Sequence, residues 1–232
     1  MTAGGPPRAP ALDLPDQPRY VEAHGIAADP ASWRRELGTG FAVGSDRARL
    51  IVVCNEADPG ATLRLARERP LYTFLLMTDD LAAALRGAGR GVVRAILHTL
   101  PDPAALPDLD GAAALAPDTS LAHTPEALAE ELHAAHAYST VWAAWVDGAP
   151  VSFAYAPWRS PRWFDVSVDT LAATRQLGLG TLVAAAMIRD ERARGREPVW
   201  GADEHNLPSL RLARRLGFRA VDELWLAAPP SG

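Results

Sequence analysis

The 232-residue chain is 48% apolar, enough for one large domain or a domain plus a smaller unit, and carries a formal charge of -5. That balance excludes nonspecific nucleic-acid binding, which needs a basic face. All 23 basic residues are arginine, which excludes a P-loop lysine, a pyridoxal Schiff base and any lysine nucleophile.

The elements read as follows in chain order. Residues 1–18 are rich in proline and glycine and lack periodicity, so a disordered tail or surface arm is expected; without an apolar h-region they are no secretory signal. Residues 19–91 read as an αβ extension. It holds a short helix near 32–37 capped by Ser32, a strand at 49–54, a helix at 61–69, a strand at 72–77 and a helix at 81–86. The one cysteine, Cys54, ends an apolar run and reads as a small buried hydrophobe, so nothing requires an oxidising compartment.

From residue 92 a second domain is expected, to about 228. Residues 92–100 read as its first strand, 101–117 as largely loop, and 125–137 as a helix capped by Thr124. Asp147-Gly148 between 140–146 and 150–156 is a strong hairpin signal. His133 and His136 sit three apart on a helix, but with no third ligand in view an ordinary helix surface is the simpler reading and no metal is expected. No apolar run is long enough to span a bilayer, so a cytoplasmic protein without membrane contact is expected.

The stretch 166–218 carries the chemistry. A β-branched strand at 166–170 leads into Arg175-Gln176-Leu177-Gly178-Leu179-Gly180-Thr181. A helix then runs to about Arg194, with Leu179, Leu182, Val183, Ala186 and Met187 on one apolar stripe. Strand, glycine-bearing turn and helix in that order can hold a phosphate, because the free amides of the first helical turn converge and the helix dipole favours negative charge there. Residues 197–203 read as another strand and 206–216 as another helix, with Asn206 as N-cap and Gly217 at its end. A last strand is expected at 220–227.

At these residues the chain resembles the GNAT superfamily of acyl-CoA N-acyltransferases. The family's [QR]-x-x-G-x-[GA] loop matches Arg175, Gly178 and Gly180, and its later N-x-x-S…LGF signature matches Asn206, Ser209 and Leu216-Gly217-Phe218. The resemblance implies an α/β fold with a mixed central sheet and helices on both faces, preceded here by the extension, which could be a degenerate copy of the same fold. It implies acetyl-CoA as acyl donor and a small-molecule primary amine, or a peptide, as acceptor, joined by direct attack through a tetrahedral intermediate. A homodimer is a reasonable default.

By the same resemblance, the amides of Gln176, Leu177, Gly178, Leu179, Gly180 and Thr181 cradle the pyrophosphate with Arg175 in support. The backbone of Val168, Asp169 and Thr170 meets the pantetheine and thioester, and Asn206 and Ser209 contact the cofactor. The acceptor must also lose a proton: an alkyl amine with a pKa of about 10.4 is almost wholly charged at pH 7. Many family members place a glutamate five residues before the asparagine and a tyrosine seven after it; here these are Gly201 and Ala213. Candidate bases are Glu204, beside Asp203 and His205, and Asp165. Trp158 and Trp163 bracket a turn near the presumed acceptor site. The missing pair motivates a second reading, a catalytically idle CoA-binding or interaction module, and a third keeps the enzyme with a longer acyl-CoA.

Overall fold

The computed structural model describes residues 12–230, so the tail expected over 1–18 lies mostly outside the described residues. The chain forms two compact units, residues 12–95 with 223–230, and residues 96–222. Six α-helices and mixed sheets are present among the described residues, and no helix there is long and apolar enough to cross a membrane.

The first unit runs α1 (Val21–Ala28), β1 (Trp33–Leu37), β2 (Gly40–Ser45), β3 (Leu50–Cys54), α2 (Pro59–Glu68), β4 (Thr73–Leu76), α3 (Asp79–Gly87) and the start of β5 (Val92–Thr99). β1, β2 and β3 form an antiparallel meander, and β4 lies parallel to β3 after the α2 crossover. Residues 33–37 are therefore a strand and not the expected helix. Trp33 packs against Gly44 and donates its indole N–H to Asp46 at 2.8 Å, contacts that a short surface helix could not make. The Asp58 carboxylate accepts from the Ala61 amide at 2.6 Å, so α2 carries its own anion at its N-terminus. Cys54 is fully buried, which pushes its thiol up to about 12.

The second unit continues from β5 through β6 (Ala112–Ala114), α4 (Glu126–Ala135), β7 (Trp142–Val146), β8 (Ala149–Tyr155), β9 (Trp163–Asp165), β10 (Ser167–Thr170), α5 (Leu179–Ala193), β11 (Glu197–Asp203), α6 (Leu207–Arg215) and β12 (Arg219–Ala227). β12 belongs to this unit up to Asp222; beyond it, Trp225 pairs with Leu76 of β4. Asp147 and Gly148 turn the β7–β8 hairpin with φ of 51° and 79°, the left-handed pair that a type I′ turn requires. Thr124 does not cap α4: Pro125 holds the cap position and the buried Thr124 hydroxyl has no partner.

The sheet β10-β8-β7-β6 is covered on both faces. On one side α5 packs Val183, Ala184, Met187 and Ile188 against Ala144, Ala154 and Val166; on the other, Leu132 and Ala135 of α4 pack against Phe153 and Tyr155. The buried face of α5 is thus rotated from the expected stripe, leaving Leu179, Leu182 and Ala186 half-buried at its margin. Part of the expected loop 101–117 forms the edge strand β6 and lies along α5, where Arg189 reaches the Pro107 carbonyl and Asp108.

One buried charge anchors the far end of α5. Glu191 is 1% exposed and accepts from Arg159 at 2.5 Å, with Arg194 at 3.3 Å and Arg196 at 3.2 Å. Burial opposes its ionisation, but the guanidiniums, Arg159 first, hold its carboxyl below the usual range. A depressed carboxylate stabilises the fold fully above its unfolded pKa of about 4.3, and this is lost as pH falls through the lower folded value. Glu191→Gln should therefore cost roughly 3 kcal/mol at pH 7 in urea unfolding, with the gap to wild type closing below about pH 4.

Candidate active site

The site begins where two strands part. β9 runs parallel to β11 with Trp163, Phe164 and Asp165 opposite Glu197, Pro198 and Val199, and the Val166 amide donates to the Val199 carbonyl at 3.0 Å. Beyond that bond the chain turns to pair with β8 as β10, while β11 continues through Trp200 to Asp203. The Leu171 amide donates to Val151 at 2.9 Å, and bonding alternates along an antiparallel pair. Asp169 and Ser167 therefore bond to β8, and the amides of Val168 and Thr170 point to the side that β11 has left. Two side-chain bonds fit this alternation: Ser152 donates to the Asp169 carbonyl, and Arg175 Nε donates to the Thr170 carbonyl at 3.3 Å.

The parting opens a cavity of about 600 Å³. Val168, Asp169 and Thr170 form one wall, Arg175, Gln176, Gly178, Leu179, Gly180 and Thr181 the helix-start loop, and Trp200, Asn206 and Ser209 the opposite wall. The structure thus brings together eleven of the twelve residues singled out for cofactor contact; Leu177 points outward, 63% exposed. Gln176 and Gly178 both have positive φ, 71° and 81°, which folds the loop back so that its amides and the first turn of α5 face the cavity. At Gly180 a Cβ would come within 3.3 Å of both Leu212 and Thr170, so its absence leaves the floor of the cleft open. Such a loop fits a diphosphate.

The second wall is held from behind. Asn206 caps α6 by accepting from the Ser209 amide at 3.2 Å, and Ser209 Oγ accepts the Trp200 indole N–H at 2.9 Å. Trp200 also meets Phe218 edge-on with ring centroids 5.4 Å apart. The signature residues Asn206, Ser209 and Phe218 therefore fix β11 and α6 to each other. Arg211 and Arg215 of α6 also line the cavity. Sequence reasoning missed them, although their i, i+4 spacing on a helix that starts at the signature asparagine places both on one face.

On β9 and β10, Phe164, Val166 and Val168 belong to the α5 core, so Asp165, Ser167 and Asp169 face the other way, the side on which α4 lies. Tyr155 joins them there and donates its hydroxyl to Glu131 of α4. Burial pushes the Asp165 carboxyl up to about 7, against a backbone hydrogen bond at Val166 that favours ionisation. Asp169 is raised by burial and by the charge of Glu131, opposed by Arg175. Glu204 lies half-buried in the turn before α6, and neither it nor Asp165 lines the cavity. Gly201 is exposed beside Leu97, and Ala213 is fully buried in the core. Trp158 is buried and Trp163 lies beside Arg162, both away from the cavity lining. Among the described residues no three potential ligands converge on a metal position.

Residues 142–225 match the family model of the GNAT acetyltransferase. No curated protein matches the chain. Among solved structures, the chain is similar to a GCN5-related N-acetyltransferase-like protein from Streptococcus suis. The two are 16% identical with a TM-score of 0.69, over 92% of this chain and 93% of that one. A GCN5-related N-acetyltransferase from Kribbella flavida is 20% identical with a TM-score of 0.64, over 92% and 95%. A tandem GNAT protein of the clavulanic acid biosynthesis pathway is 18% identical with a TM-score of 0.51, over 88% and 85%. At these identities the likeness establishes the GNAT fold.

The loop conformation can be tested without a ligand. Gly178→Ala places a Cβ at a left-handed residue and should cost roughly 1–2 kcal/mol of stability in urea unfolding.

Proposed function

We propose, from the GNAT fold of the chain and the GNAT acetyltransferase match over residues 142–225, that the protein is an N-acetyltransferase. It would move an acetyl group from acetyl-CoA to a small-molecule primary amine. The observation that carries this reading is the parting of β10 from β11 at the Val166–Val199 bond, which opens a cleft in front of a helix start.

The donor would supply an acyl carbon activated as a thioester, with a thiolate of pKa about 8.5 as leaving group. The chain's residues do the rest. The loop amides of residues 176–180 and the Thr181 hydroxyl hold the diphosphate, the Thr181 amide being bonded to the Gly178 carbonyl at 3.0 Å, and Leu179, Val168 and Leu212 offer apolar walls. The amides of Val168 and Thr170, turned from β8, are donors for the oxyanion that develops on attack. Little acid help is needed for a thiolate, so an alanine at position 213 is compatible with turnover.

Of the two candidate bases, Asp165 fits better than Glu204. Its carboxyl sits just before the strand parting, on the face carrying Ser167 and Asp169, and titrates near 7, where a group can both take and release a proton. Acceptors then enter from the α4 side, beside Glu131, Tyr155 and Asp169.

From α4 onward the second unit runs helix, antiparallel strands β7, β8 and β10 with β9 inserted, helix, strand, helix, strand. The first unit shows the same order without the insert: helix, three antiparallel strands, helix, parallel strand, helix, strand. A tandem GNAT protein among the similar structures supports reading it as a degenerate copy. In this copy β3 and β4 stay paired through Val53 and Leu76, and Asp58 occupies the helix start. One cofactor is therefore bound per chain.

Thermal melting with acetyl-CoA tests the reading: at a hundredfold excess over Kd the gain is about 2.7 kcal/mol. Longer acyl-CoAs in the same series rank the acyl chain, and Gly180→Val should abolish the shift while still folding. No shift with any acyl-CoA at millimolar concentration would overturn the assignment.

For Asp165, kcat/KM with an acceptor amine should rise with pH through about 7. Asp165→Asn should remove that limb and lower the rate roughly 10²- to 10⁴-fold. A raised folded pKa stabilises below the unfolded value of about 3.9, and that contribution is lost as pH rises through 7. The same variant should therefore melt higher than wild type at pH 8 and equal to it near pH 4.

A further inference from the structure

The arginines of the second unit differ in their partners. Arg159, Arg189, Arg192, Arg194 and Arg196 all pair with carboxylates. Arg211 and Arg215 are exposed, line the cavity, and among the described residues form neither an ion pair nor a hydrogen bond. They lie one helical turn apart on α6, on the wall opposite the loop that fits the diphosphate.

Arg214 and Arg219 likewise have no carboxylate partner among the described residues, so what sets Arg211 and Arg215 apart is that both line the cavity. Together they match a dianion, since each planar fork can bond two oxygens of a phosphate. The helix dipole does not explain the pair, because Arg211 lies mid-helix. Arg214 supplies an internal contrast: it is equally exposed on the same helix but does not line the cavity.

Coenzyme A differs from its biosynthetic precursor, dephospho-coenzyme A, by a 3′-phosphate on the ribose, a dianion separate from the 5′-diphosphate. Resting on the cleft being an acyl-CoA site, we propose that Arg211 and Arg215 bind this 3′-phosphate and make the protein selective for coenzyme A over the dephospho form. The loop at residues 176–181 holds the diphosphate that both ligands share, and α6 reads the phosphate that only one carries.

Calorimetric titration of the full chain with CoA and with dephospho-CoA, in 50 and 200 mM salt, tests this. Wild type should bind CoA roughly ten- to a hundredfold tighter, with the steeper salt dependence. The Arg211→Gln/Arg215→Gln double variant should bind CoA as weakly as dephospho-CoA, with dephospho-CoA affinity unchanged. Arg214→Gln, which removes the same charge from the same helix, should keep the wild-type ratio, and an unchanged melting temperature reports folding.

Equal wild-type affinity for both ligands would overturn the proposal while leaving the acyl-CoA site standing. So would a double variant that loses both ligands equally, which assigns the arginines to the diphosphate. Binding of neither ligand to wild type would remove the acyl-CoA reading and this proposal with it.

Discussion

A single backbone hydrogen bond marks the limit on which the rest of the site depends. The Val166 amide is the last group of the β9–β10 run to bond β11, and every residue after it pairs with β8 instead. Parallel strands that stay paired leave no space between them. Strands that part expose one row of amides and carbonyls on each flank, and those groups need partners. The parting is maintained from both sides: Ser152 bonds Thr170 on the β10 flank, and Trp200, through Ser209 and Phe218, holds β11 against α6.

The charges are distributed to match. In the body of the second unit arginine is structural, gathered around Glu191 at the far end of α5 or closing loops through Asp108 and Glu197. At the cleft Arg211 and Arg215 lack carboxylate partners among the described residues, whereas the charge of Arg175 acts on Asp169, which shares the lining; Asp165 and Glu131 stand outside it. Burial that raises the Asp165 carboxyl is a stability cost placed beside the strand parting.

The helix starts of α2 and α5, each following a strand, show how one arrangement takes different roles. At α2 the chain supplies its own anion, Asp58, which takes the Ala61 amide, and Pro59 in the first turn has no amide to offer. At α5 the cap is Gly178, which has no side chain to offer, so no side chain caps the first turn, and the Thr181 amide bonds back to the Gly178 carbonyl at 3.0 Å. The neighbouring strands agree with the caps: β3 and β4 remain paired over four residues, while β10 and β11 separate.

Much of this was legible in the sequence because the information is local. The hairpin at Asp147-Gly148, the helix from Leu179, the strand Glu197–Asp203 and the Asn206 cap each follow from backbone preferences and periodicity within a few residues. Glycine at 178 and 180 and the Asn206–Ser209 spacing likewise marked the turn and the cap that line the cavity. What the sequence left open depends on partners distant in the chain. Trp33 makes a strand of residues 33–37 because Gly44 and Asp46 lie opposite it, and the outer half of β12 is defined by Leu76, some 150 residues earlier. The same holds within the site. Arginines at 211 and 215 could be counted, but only the folded chain decided that they face a cavity and lack carboxylates; an acidic residue at 165 could be named, but its burial is set by the strands and helices packed around it. Local sequence determined where the backbone could turn, cap and present amides, because those preferences act over one or two turns of chain. Tertiary structure decided charge pairing, burial and proton affinity, because these depend on which distant groups share the same few ångströms.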